Sequence, residues 1–192
     1  MQHGPCRVEQ RRAKRRLAGA KGDGFDAAAL AAGAVNAVRR AADGALEGAL
    51  FDGLGFVGAL AHHGVTCEGR RALLLGAGGA GLAIASALAA TGLAELAVYD
   101  TDPERARTLV LRIAPAVASA VASADPAGFD LVVNATPLGL QAGDPLPLDP
   151  SKLKPSMFVG DVVAGHGETP LMKSARAAGC RTADGDAMVV AV

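Results

Sequence analysis

From Arg70 onward, short unbroken apolar runs alternate with stretches of helical spacing. RALLL (71–75) has no polar face, as expected of a strand buried on both sides of a parallel sheet. GAGGAG (76–81) follows it directly, and LAIASALAAT (82–91) reads as a helix stopped at Gly92. LAVYD (96–100) is the next strand. Asp102 as N-cap and Pro103 at the first helical position then predict a helix to about Ile113. After a weak apolar stretch, AVASAVA (116–122), come two further buried strands, DLVVNAT (130–136), broken by Pro137, and MFVGDVV (157–163). Thr169-Pro170 opens a helix to about Ala178, and Gly179 closes it.

Upstream the pattern is looser. Residues 53–63 place Leu54, Val57, Leu60 and Ala61 on one helical face, ended by Gly64. Residues 26–46 hold an Ala-rich, helix-like stretch, then AVNAV, then a turn at Asp43-Gly44. The first 25 residues show neither a strand nor an amphipathic helix. Strands alternating with helices of this length imply right-handed βαβ crossovers, hence an α/β fold: a Rossmann-like, doubly wound parallel sheet with helices on both faces. No internal repeat is present.

Composition narrows the function. Apolar residues make up 51% of 192, but only five Phe and one Tyr are aromatic, so the core must be built from Ala, Val and Leu. That excludes a base-stacking nucleic-acid platform, which needs rings. The formal net charge is zero, yet Arg7, Arg11, Arg12, Lys14, Arg15, Arg16 and Lys21 face only Glu9 and Asp23 in residues 1–25. Such a run suits an anionic partner or a solvated tail, and the composition favours the tail. Cys6, Cys67 and Cys180 lack ligand or redox spacing, so no disulfide framework and no metal site is expected. No apolar run is long enough for a membrane span, and no apolar segment of signal-peptide type follows the basic start. A cytoplasmic protein is the resulting expectation.

The chemistry concentrates at GAGGAG. Gly76, Gly78 and Gly81 satisfy the G-x-G-x-x-G spacing between a strand and a helix, and Asp100 ends the next strand. Gly76 permits the tight turn, Gly78 lets a pyrophosphate approach the backbone, and Gly81 lets helix and strand close up. Free amides from Gly76, Ala77, Gly78, Gly79, Ala80 and Gly81 and the positive helix end then face the diphosphate. A ligand-free glycine turn is the plainer alternative. Asp100 suits the ribose hydroxyls of NAD and repels a 2′-phosphate, which favours NAD and leaves NADP open.

Several further segments occur in the order found in shikimate/quinate dehydrogenases, and residues 33–192 resemble that family. GAVN (33–36) resembles its substrate loop, FDGLGF (51–56) its NTDGxGF motif, and NATPLGL (134–140) its NATPxGM motif. GDVVAGHGETPLM (160–172) is similar to the strand and turn before the last helix, and DGDAMVV (184–190) to the DGxxML motif. The resemblance implies reversible hydride transfer between NAD or NADP and a ring alcohol of shikimate or quinate. In it Asp52 would be catalytic and, with Asn36, would bind the substrate, while Thr136, Val162 and Gly185 would lie near the nicotinamide. It also implies three segments: a basic tail over 1–25, a remnant of the substrate-binding domain with its connecting helix over 26–64, and the dinucleotide-binding domain over 65–192. The implied partner is a small molecule, with no nucleic acid and no membrane, and a homodimer remains admissible.

The sequence also departs from the family's pattern. The residues before Asn36 do not resemble the family's substrate domain, and its lysine has no clear match: Arg15 holds the expected spacing and Lys14 is one residue off. Ala164 replaces a tyrosine, Val192 falls where a glutamine would, and the final helix is lacking. An impaired or inactive NAD-binding relative is therefore the second expectation. His62, His63 and His166 match no catalytic position in the family, and Met172 and Met188 are expected in the core or lining the cleft.

Overall fold

The computed structural model describes residues 24, 29, 35, 37–113, 116–165 and 167–190. The chain divides into two compact units, Met1–Leu50 and Phe51–Val192. In the first, strands β1 (Ala37–Arg40) and β2 (Leu46–Ala49) form an antiparallel hairpin with Ala37 opposite Ala49. Gly44, at φ +86°, makes the turn, and the Asp43 carboxylate accepts from the Ala45 amide at 2.9 Å. The Asp43-Gly44 turn was legible. The strands were not, because four-residue runs such as AVRR carry no clear alternation. Asn36, Lys14 and His166 lie outside the described residues.

In the second unit, the elements in chain order are α1 (Asp52–His62), β3 (Arg71–Leu75), α2 (Gly79–Ala89), β4 (Glu95–Tyr99), α3 (Pro103–Ile113) and β5 (Ala118–Ala120). They continue with β6 (Leu131–Asn134), a 3-10 turn at Pro150–Lys152, β7 (Phe158–Asp161), α4 (Pro170–Ala177), β8 (Arg181–Ala183) and α5 (Gly185–Val190). The six strands are parallel in the order β5-β4-β3-β6-β7-β8. The first strand of the sheet thus sits at its centre and the winding reverses between β3 and β6, which is the Rossmann order.

The apolar runs explain why those central strands form. Ala72–Leu75, Leu131–Val133 and Phe158–Val159 are all buried, so each strand can be apolar on both faces. Alternate side chains then serve two layers. Leu73, Leu75, Val132 and Val159 pack with Leu171 and Ala175 of α4 on one face. On the other face Phe56 of α1 lies on Gly160, where a Cβ would be 2.5 Å from the ring. Met172 and Met188 are buried as expected. Helix α2 begins three residues before LAIAS, because its first turn is made by the glycine run itself. Asp102 caps α3, accepting from the Glu104 amide at 3.0 Å, and Thr169 caps α4.

Candidate functional site

The parallel register brings one set of strand ends to a single edge. Leu75 pairs with Tyr99 and with Asn134, and Asn134 pairs with Asp161. The residues that follow, Gly76, Asp100, Ala135 and Val162, and Thr136 one position further on, therefore emerge at the carboxyl edge, on both sides of the β3/β6 reversal.

Gly76 turns the chain at φ +98°, with its amide donating to the Tyr99 carbonyl at 2.7 Å. A Cβ there would lie 2.9 Å from the Ala135 carbonyl group, so the turn is pressed against the next strand. A Cβ on Gly81 would collide with the Gly76 carbonyl oxygen, which is what brings α2 close to β3. Gly78 and Gly79 differ: both are exposed, and a Cβ on either would meet nothing within 4 Å. Gly78 is the N-cap of α2, and the first helical amides have no acceptor within the helix. The turn is open, and its amides and helix dipole suit an anionic group there.

Asp100 reaches back into this turn. Its Oδ2 accepts from the Ala77 amide at 2.7 Å and its Oδ1 from the Asp102 amide at 2.9 Å. The carboxylate is thus fixed beside the loop, with lone pairs left over for further donors. Next to it runs a groove of about 250 Å³, floored by Ala77, Leu82 and Leu109 and rimmed by Arg105 and Arg112. Arg105 is paired with Asp102 at 3.6 Å.

Asp52 opens α1, and two contacts fix the direction of that helix. Phe56 lies over Gly160 near the end of β7, while the His63 ring sits 5.9 Å from the Phe158 ring at the start of β7. Helix α1 therefore runs antiparallel to β7 and returns Asp52 to the same carboxyl edge. Gly53 sits so close to α2 that a Cβ would strike the Ala83 carbonyl. Gly185 packs on the turn after β7, where a Cβ would be 2.6 Å from the Val162 carbonyl oxygen. Asp186 accepts from the Gly165 amide at 2.9 Å and closes that turn.

A buried polar network that the sequence did not reveal joins the ends of β6 and β7. Asn134, Asp161 and Thr169 are almost entirely buried. Asn134 Nδ2 donates to Asp161 Oδ1 at 2.9 Å and to the Leu138 carbonyl at 3.2 Å. Asn134 Oδ1 accepts from the Thr136 amide at 3.1 Å and from the Thr136 hydroxyl at 2.6 Å. Thr169 Oγ1 donates to Asp161 Oδ2 at 2.6 Å, and the Val163 amide donates to Asp161 Oδ1 at 3.2 Å. Burial pushes the Asp161 carboxyl above its ordinary value, against the hydrogen bonds from Thr169, Val163 and Asn134. The only sequence signal was the N-A-T and G-D strings at strand ends, and their partners lie 8 and 27 residues away from Asp161.

Strand order, glycine turn and strand-end carboxylate together define a Rossmann-type α/β domain, the class of fold built to hold dinucleotides at its reversal point. No family model matches the chain. It is 41% identical over 178 residues to shikimate dehydrogenase (NADP(+)) of Rubrobacter xylanophilus, covering 88% of this chain and 62% of that protein. It is 40% identical over 166 residues to quinate/shikimate dehydrogenase (NAD(+)) of Corynebacterium efficiens, covering 82% and 58%. Quinate dehydrogenase from Corynebacterium glutamicum in complex with NAD superposes with a TM-score of 0.77 at 36% identity, over 86% of this chain and 62% of that one. The chain belongs to the shikimate/quinate dehydrogenase family, and it spans about three fifths of the length of these relatives.

Proposed function

We propose that this chain is a nicotinamide-dependent oxidoreductase that interconverts a ring alcohol and ketone of the shikimate or quinate class. The observation that carries this is the open Gly76–Gly81 turn at the sheet's reversal point, with the Asp100 carboxylate held beside it by the Ala77 amide. The residues fit a dinucleotide. Gly78 and Gly79 leave room for a diphosphate against bare backbone, and the first-turn amides of α2 supply its donors. Asp100 accepts from the adenosine ribose hydroxyls, and its charge opposes a 2′-phosphate, so NAD is preferred over NADP. The relatives include enzymes named for either cofactor.

Bound nicotinamide supplies the hydride chemistry. The protein's part is to bind, orient and move a proton. Thr136, Val162 and Gly185 form the wall on the nicotinamide side of the turn. Asp52, returned to this edge by α1, hydrogen-bonds the reacting hydroxyl and shares its proton, and Asn36 orients the ring. In this reading residues 26–64 are the remnant of a substrate-binding domain with its connecting helix, and 65–192 are the dinucleotide-binding domain.

The test is formation of reduced nicotinamide, followed by its near-ultraviolet absorbance, with shikimate and with quinate. Turnover with either substrate supports the assignment, and Asp52→Asn lowers kcat on the order of 10²–10⁴-fold, as expected on loss of a positioned proton-transfer group. No turnover with either substrate and either cofactor, from a chain that binds the cofactor, contradicts it.

A further inference from the structure

Asp161 makes no contact that the proposed chemistry uses, yet it is fully buried and three donors converge on it from three segments. Asn134 brings the end of β6, Val163 the turn after β7, and Thr169 the cap of α4. A carboxylate can only accept hydrogen bonds, so the Asn134 side chain must turn its NH₂ toward Asp161. That leaves Asn134 Oδ1 facing the other way, where it takes both the amide and the hydroxyl of Thr136. With its proton committed there, the Thr136 hydroxyl accepts from the Leu138 amide at 3.2 Å. The Thr136 methyl is left toward the glycine turn, 3.0 Å from where a Gly76 Cβ would stand. On the other strand the Val162 amide donates to the Asn134 carbonyl at 3.0 Å. One carboxylate therefore fixes the Asn134 amide orientation and through it the Thr136 turn, and it holds the turn after β7 directly through the Val163 amide.

A dinucleotide whose diphosphate sits on α2 lies across that point, with one half over β4 and the other over β6 and β7. Asp100 stands on the β4 side, so the β6/β7 side receives the nicotinamide half. We infer that Asp161 is a positioning residue, acting through Asn134 and the Val163 amide to hold the wall against which the nicotinamide half packs. This rests on the dinucleotide reading above and deepens it.

The experiment compares the affinities of the full chain and its variants for NADH and for ADP-ribose, which lacks the nicotinamide ring, by titration calorimetry. Thermal unfolding is followed in parallel. Asp161→Ala removes the acceptor from three buried donors and weakens NADH binding by about 10-fold, while ADP-ribose binding stays within about twofold. Thr169→Val removes one donor and keeps the carboxylate, so it gives the same split to a smaller degree. Asp161→Asn keeps the shape and stands in if Asp161→Ala does not fold. It loosens the amide orientation and also lowers NADH affinity selectively. Folded variants in which both ligands weaken equally, or neither does, overturn the positioning role. A wild-type chain that binds neither ligand overturns the dinucleotide reading itself, and the positioning role falls with it. That outcome is distinct from an equal loss in the variants.

Discussion

A methyl group on Gly81 would collide with the carbonyl oxygen of Gly76, and backbone cannot move aside as a side chain can. Gly81→Ala is therefore expected to destabilise the fold by about 1–3 kcal/mol, the cost of overpacking, read as a lower Tm. Asp161 adds a pH signature. Burial raises its pKa in the folded protein above the unfolded value, so the native state holds this proton to higher pH. Its contribution to stability is largest below the ordinary aspartate value and is lost as pH rises through the raised one. Asp125 and Asp149 act in the opposite sense. Hydrogen bonds from Lys152 and Ser151, respectively, lower their values, so their contribution is lost as pH falls. Denaturant unfolding across acid pH should show Asp161→Asn removing the loss that occurs with rising pH, and an unchanged profile would contradict the assignment. Of these residues Gly81 was legible in the sequence because its motif is local. Asp161 was not, because its meaning depends on a partner 27 residues away across the sheet.

Among the elements, α1 carries the most consequence for the site, since its direction decides where Asp52 stands. The Phe56 ring lies on bare β7 backbone at Gly160. Phe56→Ala should cost about 3–5 kcal/mol. Gly160→Ala should also destabilise, because its Cβ would press on the ring, but the double variant should lose less than the two single changes summed. Urea unfolding of the four proteins measures that coupling, and simple additivity would show that ring and strand do not touch. The same comparison explains what could be read in advance. RALLL lies at its expected bounds because an unbroken apolar run marks a strand buried on both faces, and the Pro103 helix does so because Asp102 and Pro103 mark its start. The β1–β2 hairpin, β5 and β8 are three or four residues long and take their pairing from neighbours rather than from any pattern of their own.

For the molecule as a whole, the alternation of runs foretold a parallel α/β sheet, and the strand order confirms the Rossmann arrangement. Hydrophobic pattern alone does not set that order. The observed order puts the strand before the glycine turn at the reversal point. Cofactor choice is a property of the whole edge, and replacing Asp100 by Ser should raise the ratio of NADP to NAD affinity by about 10-fold, the effect of removing one like charge near a 2′-phosphate. Calorimetric titration with each cofactor reads it. The most direct test of the central claim uses Gly78→Asp. A Cβ at Gly78 meets nothing within 4 Å, and the position is the N-cap of α2, where Asp is a favourable residue. The variant should therefore keep or raise the Tm while placing a negative charge where the diphosphate would lie. NAD affinity measured by titration calorimetry should fall by about 100-fold relative to wild type. NAD binding that is equally tight in the variant, or undetectable in the wild-type chain, would contradict a diphosphate site at this turn.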